Sequence, residues 1–328
     1  MGNTTIGVNK LKPKGLISFV FCLSLYFSFG SLVTTAHAES VNNVNGIEIS
    51  DETFNNLLSL GFTKDEIENM SEEVYNLNKN LKGEIVASQT QYLKIIENPD
   101  TIKSPFLYND LQTDPIIVEL DEATYNKEVA QEKKRAEENQ ISPMDITVES
   151  STSYKTMRTV IARLGTQNYR LKQSITWSKM PSNRYVDVTG IGINPSFWGP
   201  TPDSQYGEQK WTTYSHMSGT QSHSAIYNTS STKWSKGIGG YALRIDLPND
   251  SFGGGADAKT VRSLTSYMYY AVRPAAVNNR LDAFGHYAHQ EKNSTISPSI
   301  SLSGLAFSVS PTTSFSYHPN THVLKTNP

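Results

Sequence analysis

Cysteine is all but missing: the one thiol, Cys22, lies within the first 38 of 328 residues. The rest of the chain therefore has no disulfide staple and no thiol nucleophile, and folds on packing alone. Charge is sparse too, at 18% Asp, Glu, Lys and Arg, while the 17 Tyr and 12 Phe point to a folded, sheet-rich chain rather than a disordered one. There is no Gly-x-Ser-x-Gly elbow and no His-Glu-x-x-His, so neither a hydrolase nucleophile nor a zinc protease is signalled. The glycine-rich runs 253–255 and 237–240 lack a following Lys-Ser/Thr, which argues against a phosphate cradle and for turns between strands. No repeat of fixed period and no strand–helix alternation is visible.

What is present begins with an export pattern. Lys10, Lys12 and Lys14 precede an uncharged apolar run from Leu16 to Phe29, and Ala36-His37-Ala38 puts small residues where a signal peptidase reads. Residues 1–38 are expected to be a signal peptide cleaved after Ala38, and the protein is expected to be secreted. Phe21 before Cys22 argues against a lipoprotein.

Formal charge then splits the chain. Residues 39–140 hold 9 Lys+Arg against 21 Asp+Glu, a balance of −12; residues 141–328 hold 17 against 10, a balance of +7. The acidic part reads as a small α+β region. Phe54, Leu57 and Leu58 have helical spacing, Gly61 suits a C-cap, and Thr63 with Glu66 forms a capping-box pattern. Strands are expected over 85–96 and 116–120, then a helix from Asp121 that grades into a charged linker broken at Pro143.

The basic part is expected to be mainly β. Candidate strands cover 154–164, 169–177, 185–193, 210–216, 222–227, 241–247, 261–272, 281–289, 295–302 and 305–317. Tyr169, Leu171, Ile175 and Trp177 share one parity, as a half-buried strand requires. The fold class is thus an antiparallel β-sandwich or open barrel at 141–328, preceded by the acidic α+β region at 39–140.

Candidate site residues are few. His286 and His289 are three apart, which on a strand sends them to opposite faces, so chelation is not expected; His216 and His223 could meet across a hairpin. No metal and no cofactor is expected. Asp187, Asp246 and Asp282 lie inside candidate strands without marking a catalytic pair. Trp198, in a Pro- and Gly-rich loop, and Trp211 are candidate ligand or surface contacts together with His216 and His223, although Trp198 equally suits a plug at the end of a sandwich. The segment from Asn293 to Thr321 has no Lys, Arg, Asp or Glu. In it Ile296, Ile300 and Leu302 alternate with serines, the phase slips at Gly304, and Leu305, Phe307 and Val309 continue. Such a hairpin could line a transmembrane β-pore or be two strands of a soluble sandwich; as short runs they fall below the roughly 9–11 residues of a spanning strand.

Leu57-Leu-Ser-Leu-Gly-Phe-Thr-Lys-Asp-Glu-Ile-Glu-Asn-Met70 resembles a segment found in secreted proteins of Gram-positive bacteria that pair a short acidic helical region with a β-rich domain. Residues 154–159, 169–181 and 187–193 resemble the β-rich part. Leu60-Gly61-Phe62 is also similar to the loop of ubiquitin-associated helical domains, through shared helix-turn-helix packing. The resemblance implies export and architecture and assigns no activity. Three functions stay open: a secreted binding or surface-interacting protein, a pore-forming or antimicrobial membrane protein, and a wall or polysaccharide hydrolase. Expected partners are an anionic wall polymer or lipid surface, with intramolecular docking of the acidic region, as a removable pro-region, on the basic domain; no nucleic acid is expected.

Overall fold

The computed structural model describes residues 40–97, 114–139, 152–251, 257–277, 280–294 and 297–328. The signal sequence with Ala36 and Ala38, the linker near residue 143 and Ile296 lie outside the described residues. Glu39–Pro328 is one compact unit.

The unit opens with a small hairpin, β1 (Ser40–Asn42) and β2 (Glu48–Ser50), followed by three short helices: α1 (Asp51–Ser59), α2 (Lys64–Glu68) and α3 (Glu72–Asn78). Each helix starts where a hydroxyl can take an orphan N–H: Ser50 caps α1, Thr63 caps α2 and Ser71 caps α3. The capping box forms in full, with Glu66 accepting from the Thr63 N–H at 2.8 Å and Thr63 accepting from the Glu66 N–H at 3.2 Å. Gly61 takes φ +95° just past α1, where a side chain would be strained. Next come β3 (Glu84–Ile96), β4 (Ile116–Leu120) and α4 (Glu122–Asn139).

The remaining strands are β5 (Thr152–Gly165), β6 (Asn168–Lys179), β7 (Val186–Ile193), β8 (Trp198–Pro200), β9 (Tyr206–Ser215), β10 (Gly219–Tyr227), β11 (Trp234–Gly237), β12 (Gly240–Asp246), β13 (Thr260–Pro274), β14 (Arg280–Gln290), β15 (Ser299–Ser303), β16 (Ala306–Ser310), β17 (Phe315–Tyr317) and β18 (Thr321–Thr326). Apart from β15 and β16, which pair only with each other, they join β3 and β4 in two antiparallel sheets. One has the order β10-β9-β13-β6-β5-β3-β4, with β8 joined to β13; the other runs β11-β12-β7-β14-β17, with β18 also on β14. The sheets face each other as a sandwich. Ile161, Leu171, Met268 and Tyr270 of the larger sheet meet Ile191, Leu243, Ile245 and Ala283 of the smaller in one buried cluster. The Tyr270 hydroxyl ties the layers directly, donating to the Ile191 carbonyl at 2.6 Å.

The parity seen in β6 is the inner face: Tyr169, Leu171, Ile175 and Trp177 are all buried between the sheets. Its other face is not solvated either, because α1 to α3 lie across it. Phe62, Leu57, Ile67 and Val74 pack on Tyr206, Tyr267 and Tyr269 there. Beneath them Lys172 meets Glu66 at 2.7 Å, and Arg170 donates to Asn78 at 2.7 Å. Helix α4 covers the neighbouring stretch through Tyr125 and Val129 on Tyr154, with Lys94–Glu128 and Lys179–Glu132 ion pairs at 2.8 and 2.6 Å.

A domain boundary near residue 140 does not appear in the sheet. β3 pairs with β5 from Glu84↔Arg163 to Ile96↔Thr152, so the acidic segment supplies an inner strand, β3, and an edge strand, β4, of the larger sheet. Strand hydrogen bonding takes no account of the change in net charge along the chain. The expected strand over 305–317 is likewise two strands, β16 and β17, separated by a 3₁₀ turn at Thr312–Ser314. Proline 311 at its start has no N–H for a ladder.

Candidate functional site

The uncharged segment places its hairpin on the outer face of the smaller sheet. β15 and β16 pair with each other, Ile300↔Val309 and Leu302↔Phe307, and to the sheet only through a bridge between Ser303 and Gly239. The apolar side chains Ile300, Leu302, Phe307 and Val309 turn inward onto Val188, Ala242 and Ala288. Ser299, Ser301, Ser303, Ser308 and Ser310 face solvent. Leu305, at the turn, is exposed, at 65%.

A bed of small residues lets the hairpin lie this close. A Cβ on Gly192 would fall 2.1 Å from the Gly304 carbonyl oxygen, so that carbonyl can approach only a glycine. Gly304 itself takes φ +54° at the turn. Two side chains pin the hairpin there. His286, on β14, sets Nε2 2.8 Å from the Gly304 carbonyl and Nδ1 2.9 Å from the Asn320 side chain, with its ring stacked on Phe307 at 5.0 Å. Tyr317, on β17, accepts from the Val309 N–H at 2.8 Å, and its hydroxyl donates to the Val309 carbonyl at 3.1 Å.

A polar cluster lies inside the sandwich, under the strand that returns from the hairpin. Asp187 is wholly buried; it accepts from the Tyr287 hydroxyl, from His289 Nδ1 at 2.9 Å and from the Gln290 N–H at 3.2 Å. Lys155 is buried with its ammonium 3.4 Å from the centre of the Tyr287 ring. His318 sits edge-on to Trp177, Tyr287 and His289. Neither of its ring nitrogens, nor Lys155 Nζ, nor His289 Nε2, has a hydrogen-bond partner among the described residues. Burial sets the electrostatics. It drives Lys155 well below the usual lysine range although Asp187 pulls it up, and drives His318 well below the usual histidine range, with Lys155 and His289 adding to the shift. Burial alone would lower His289 as well, but the charge and hydrogen bond of Asp187, with Glu291 and Glu97 adding to them, outweigh it and the net shift is upward.

The other residues singled out in the sequence are not brought together. Trp198 is buried, 2% exposed, edge-on to Tyr169 with its indole N–H on the Arg280 carbonyl at 2.9 Å. It plugs the sandwich and is no surface contact. Trp211 and His223 are opposite each other on β9 and β10 and stack at 5.4 Å, and His223 Nε2 bonds Thr213 at 2.8 Å. Trp211 packs against the inner cluster of Leu264, Val261 and Leu247. His216 is exposed at the β9–β10 turn against Tyr214, so it does not meet His223. Among the described residues no group of three or more His, Cys, Asp or Glu is placed to hold a metal ion.

A concavity of about 160 Å³ opens on the outer face between α2 and strands β9, β10 and β13. Its carboxylates are engaged: Glu66 by Lys172, and Glu208 by the Tyr267 hydroxyl at 2.7 Å and by Lys210 at 3.2 Å. Burial raises the third, Asp65. This cleft does not present the facing free acids that glycoside hydrolysis needs.

Sequence reasoning reached the hairpin and its alternation but not what holds it. Lys155 and Asp187 were legible as charges on the inward parity of strands whose neighbours, Met157 and Ile191, are apolar. The roles of Tyr317 and of Gly192 had no sequence signal. No described helix is long and apolar enough to cross a membrane. No protein-family model matches this chain, and no curated protein matches it. Among solved structures, one described as a pore forming protein aligns with 52% of this chain and 86% of its own at 8% identity, with a TM-score of 0.24; a likeness of that score carries no argument.

Proposed function

We propose that this is a secreted, surface-interacting protein that acts on lipid bilayers by releasing the β15–β16 hairpin and inserting it. The observation that carries the reading is the hairpin itself: no charge, one apolar face, one serine face, and a single backbone bridge to the sheet beneath. A core hairpin would be knitted into a ladder, because sheets are stabilised by paired strands. Beyond that bridge this one rests on side-chain contact, and it exchanges the sheet's apolar face for lipid while keeping its own cross-strand hydrogen bonds, as a membrane demands.

The folded strands have five residues each, and the alternation in the sequence spans Ile296 to Ser303 and Leu305 to Ser310. Both arms are shorter than the roughly 9–11 residues of a tilted spanning strand, so full insertion would have to draw in flanking residues beyond the alternation. Opened out, small hydroxyls would line the water side and Ile300, Leu302, Phe307 and Val309 the lipid side, the dyad pattern of a β-pore. Several copies would be needed to close such a barrel, since an open sheet edge is not tolerated in lipid. Export through residues 1–38, with cleavage after Ala38, would deliver the protein to a lipid surface.

A disulfide lock tests the reading, and a mature chain without cysteine makes the lock clean. A Cβ on Gly239 would lie 2.9 Å from the Ser303 Cβ but also 2.6 Å from the Ser303 Cα and 2.7 Å from the Leu302 carbonyl oxygen, so the hairpin has to rise by about 1 Å for the pair to reach disulfide geometry, and the reduced double variant is the control for that displacement. The oxidised Gly239→Cys/Ser303→Cys protein should leave dye-loaded phosphatidylcholine–phosphatidylserine vesicles sealed, and reductant should restore leakage. Equal leakage from locked and reduced protein, or none from the wild type at micromolar concentration, would end the proposal.

A further inference from the structure

The two ties that hold the hairpin converge on imidazoles. His286 bonds the Gly304 carbonyl at the hairpin's turn and lies flat on Phe307. Tyr317 holds β16 at Val309, and the next residue, His318, turns the opposite way into the sandwich, its backbone N–H on the Tyr287 carbonyl at 3.0 Å. One dipeptide therefore touches the hairpin with one side chain and the buried cluster with the other. We infer that His286 and His318 form an acid-operated latch on the β15–β16 hairpin; this regulation rests on the membrane reading of that hairpin.

The groups facing each ring decide the direction. His286 is 0% exposed and has the Gly304 carbonyl, the Asn320 amide and the Phe307 ring as partners, with no carboxylate among them. A second proton there puts a full charge into a buried seat where only the neutral oxygens of Gly304 and Asn320 face it; their hydrogen bonds favour the charged ring but do not make up for its burial. His318 is faced by Lys155 from β5, Trp177 from β6, and Tyr287 and His289 from β14. The one anion beside them, Asp187 on β7, is already shared by Tyr287 and His289, while Glu97 and Glu291 act on His289. A proton on His318 adds a further cation to a pocket that already holds His289 and Lys155.

Burial lowers the affinity of both rings for a proton in the closed form. The released form takes that proton at the ordinary histidine value, so the closed form is at full strength above it and loses ground as pH falls below about 6.5. Loss of His318 from its pocket peels β17 from β14 and carries Tyr317 away from Val309. Loss of the His286 contact frees the turn. From Ser297 to Tyr317 no residue is Asp, Glu, Lys, Arg or His, so the hairpin itself does not resist the change.

Hydrogen exchange on the compact unit 39–328 reads the latch without a membrane. Between pH 7.5 and 5.5, after correction for intrinsic rates, protection of 299–317 should fall about tenfold or more while that of β5 and β6 holds. His286→Gln and His318→Phe, singly and together, should flatten this dependence, since Gln keeps donor and acceptor and Phe keeps the aromatic packing. The wild-type comparison needs no variant to fold. Unchanged protection of 299–317 in acid, or acid loss in the double variant equal to wild type, overturns the latch. Vesicle leakage at the two pH values separates the two ideas. Acid release of the hairpin with sealed vesicles supports the latch and removes the membrane reading; leakage that is equal at both pH values, with unchanged protection, does the reverse.

Discussion

Replacing Glu66 by Gln probes how firmly the helical layer belongs to the sheet. Glu66 and Lys172 are each 1% exposed, and Lys172 Nζ donates to Oε1 at 2.8 Å and to Oε2 at 2.7 Å, as well as to Ser174. The ammonium also lies 5.1 Å from the Phe62 ring and 4.8 Å from the Tyr267 ring. Gln keeps the shape and one acceptor but leaves the lysine charge uncompensated, which costs about 3–5 kcal/mol for a buried pair. Removing both charges together, as Glu66→Leu/Lys172→Met, should return most of that loss, because desolvation of two ions disappears with them. Urea unfolding followed by tryptophan fluorescence gives both numbers and their coupling. The pH dependence checks the electrostatics independently. Burial, only partly offset by Glu66, brings Lys172 from 10.5 down to about 8. Above that value the unfolded chain holds the proton that the folded one has lost, so wild-type stability should climb with pH from about 8 toward 9.5, and Lys172→Met should not share this rise. A Glu66→Gln protein within about 1 kcal/mol of wild type would refute the argument that the pair is truly dry.

Other perturbations follow from the same geometry. Trp198→Ala should cost about 3–5 kcal/mol in a urea titration, as expected for an emptied core site, and leave surface binding unaltered. Asp187→Asn takes away the anion hydrogen-bonded to His289, whose proton affinity Asp187 raises; the stability that this pair supplies is complete below the unfolded value near 6.5 and is lost as pH rises through the folded one, and histidine NMR titration should show that step shrink in the variant, with Glu291 and Glu97 left to act on the ring. Gly192→Val drives a side chain into the Gly304 carbonyl, so exchange at 299–310 should quicken at neutral pH while the sheets keep their protection. Tyr317→Phe removes the hydroxyl on Val309 and should weaken hairpin closure by about 0.5–1.5 kcal/mol, read from the same exchange experiment.

The sandwich was legible because its inner faces are written as alternation. In β6, Tyr169, Leu171, Ile175 and Trp177 announce one buried face through period alone. The capping box at Thr63 and Glu66 was equally readable, since its partners are three residues apart. Less legible were the second buried face of β6, where Arg170 and Lys172 look like solvated charges until the helices cover them, and the short strands β8, β11 and β18. β8 and β18 owe their pairing to residues far away in the chain, and β11, which pairs with the adjacent β12, is only four residues long.

The sequence by itself determined what is local: the periods, the caps, the split of charge and the uncharged amphipathic segment after residue 292. Tertiary structure alone decided where that segment rests, which strands of the acidic part enter the larger sheet, and that Asp187, His289, His318 and Lys155 share one interior. The reason is physical. Alternation states that a strand has two unlike faces but not which surface each meets, and that choice is settled by hydrogen-bonded neighbours and by the space glycines such as Gly192 leave open.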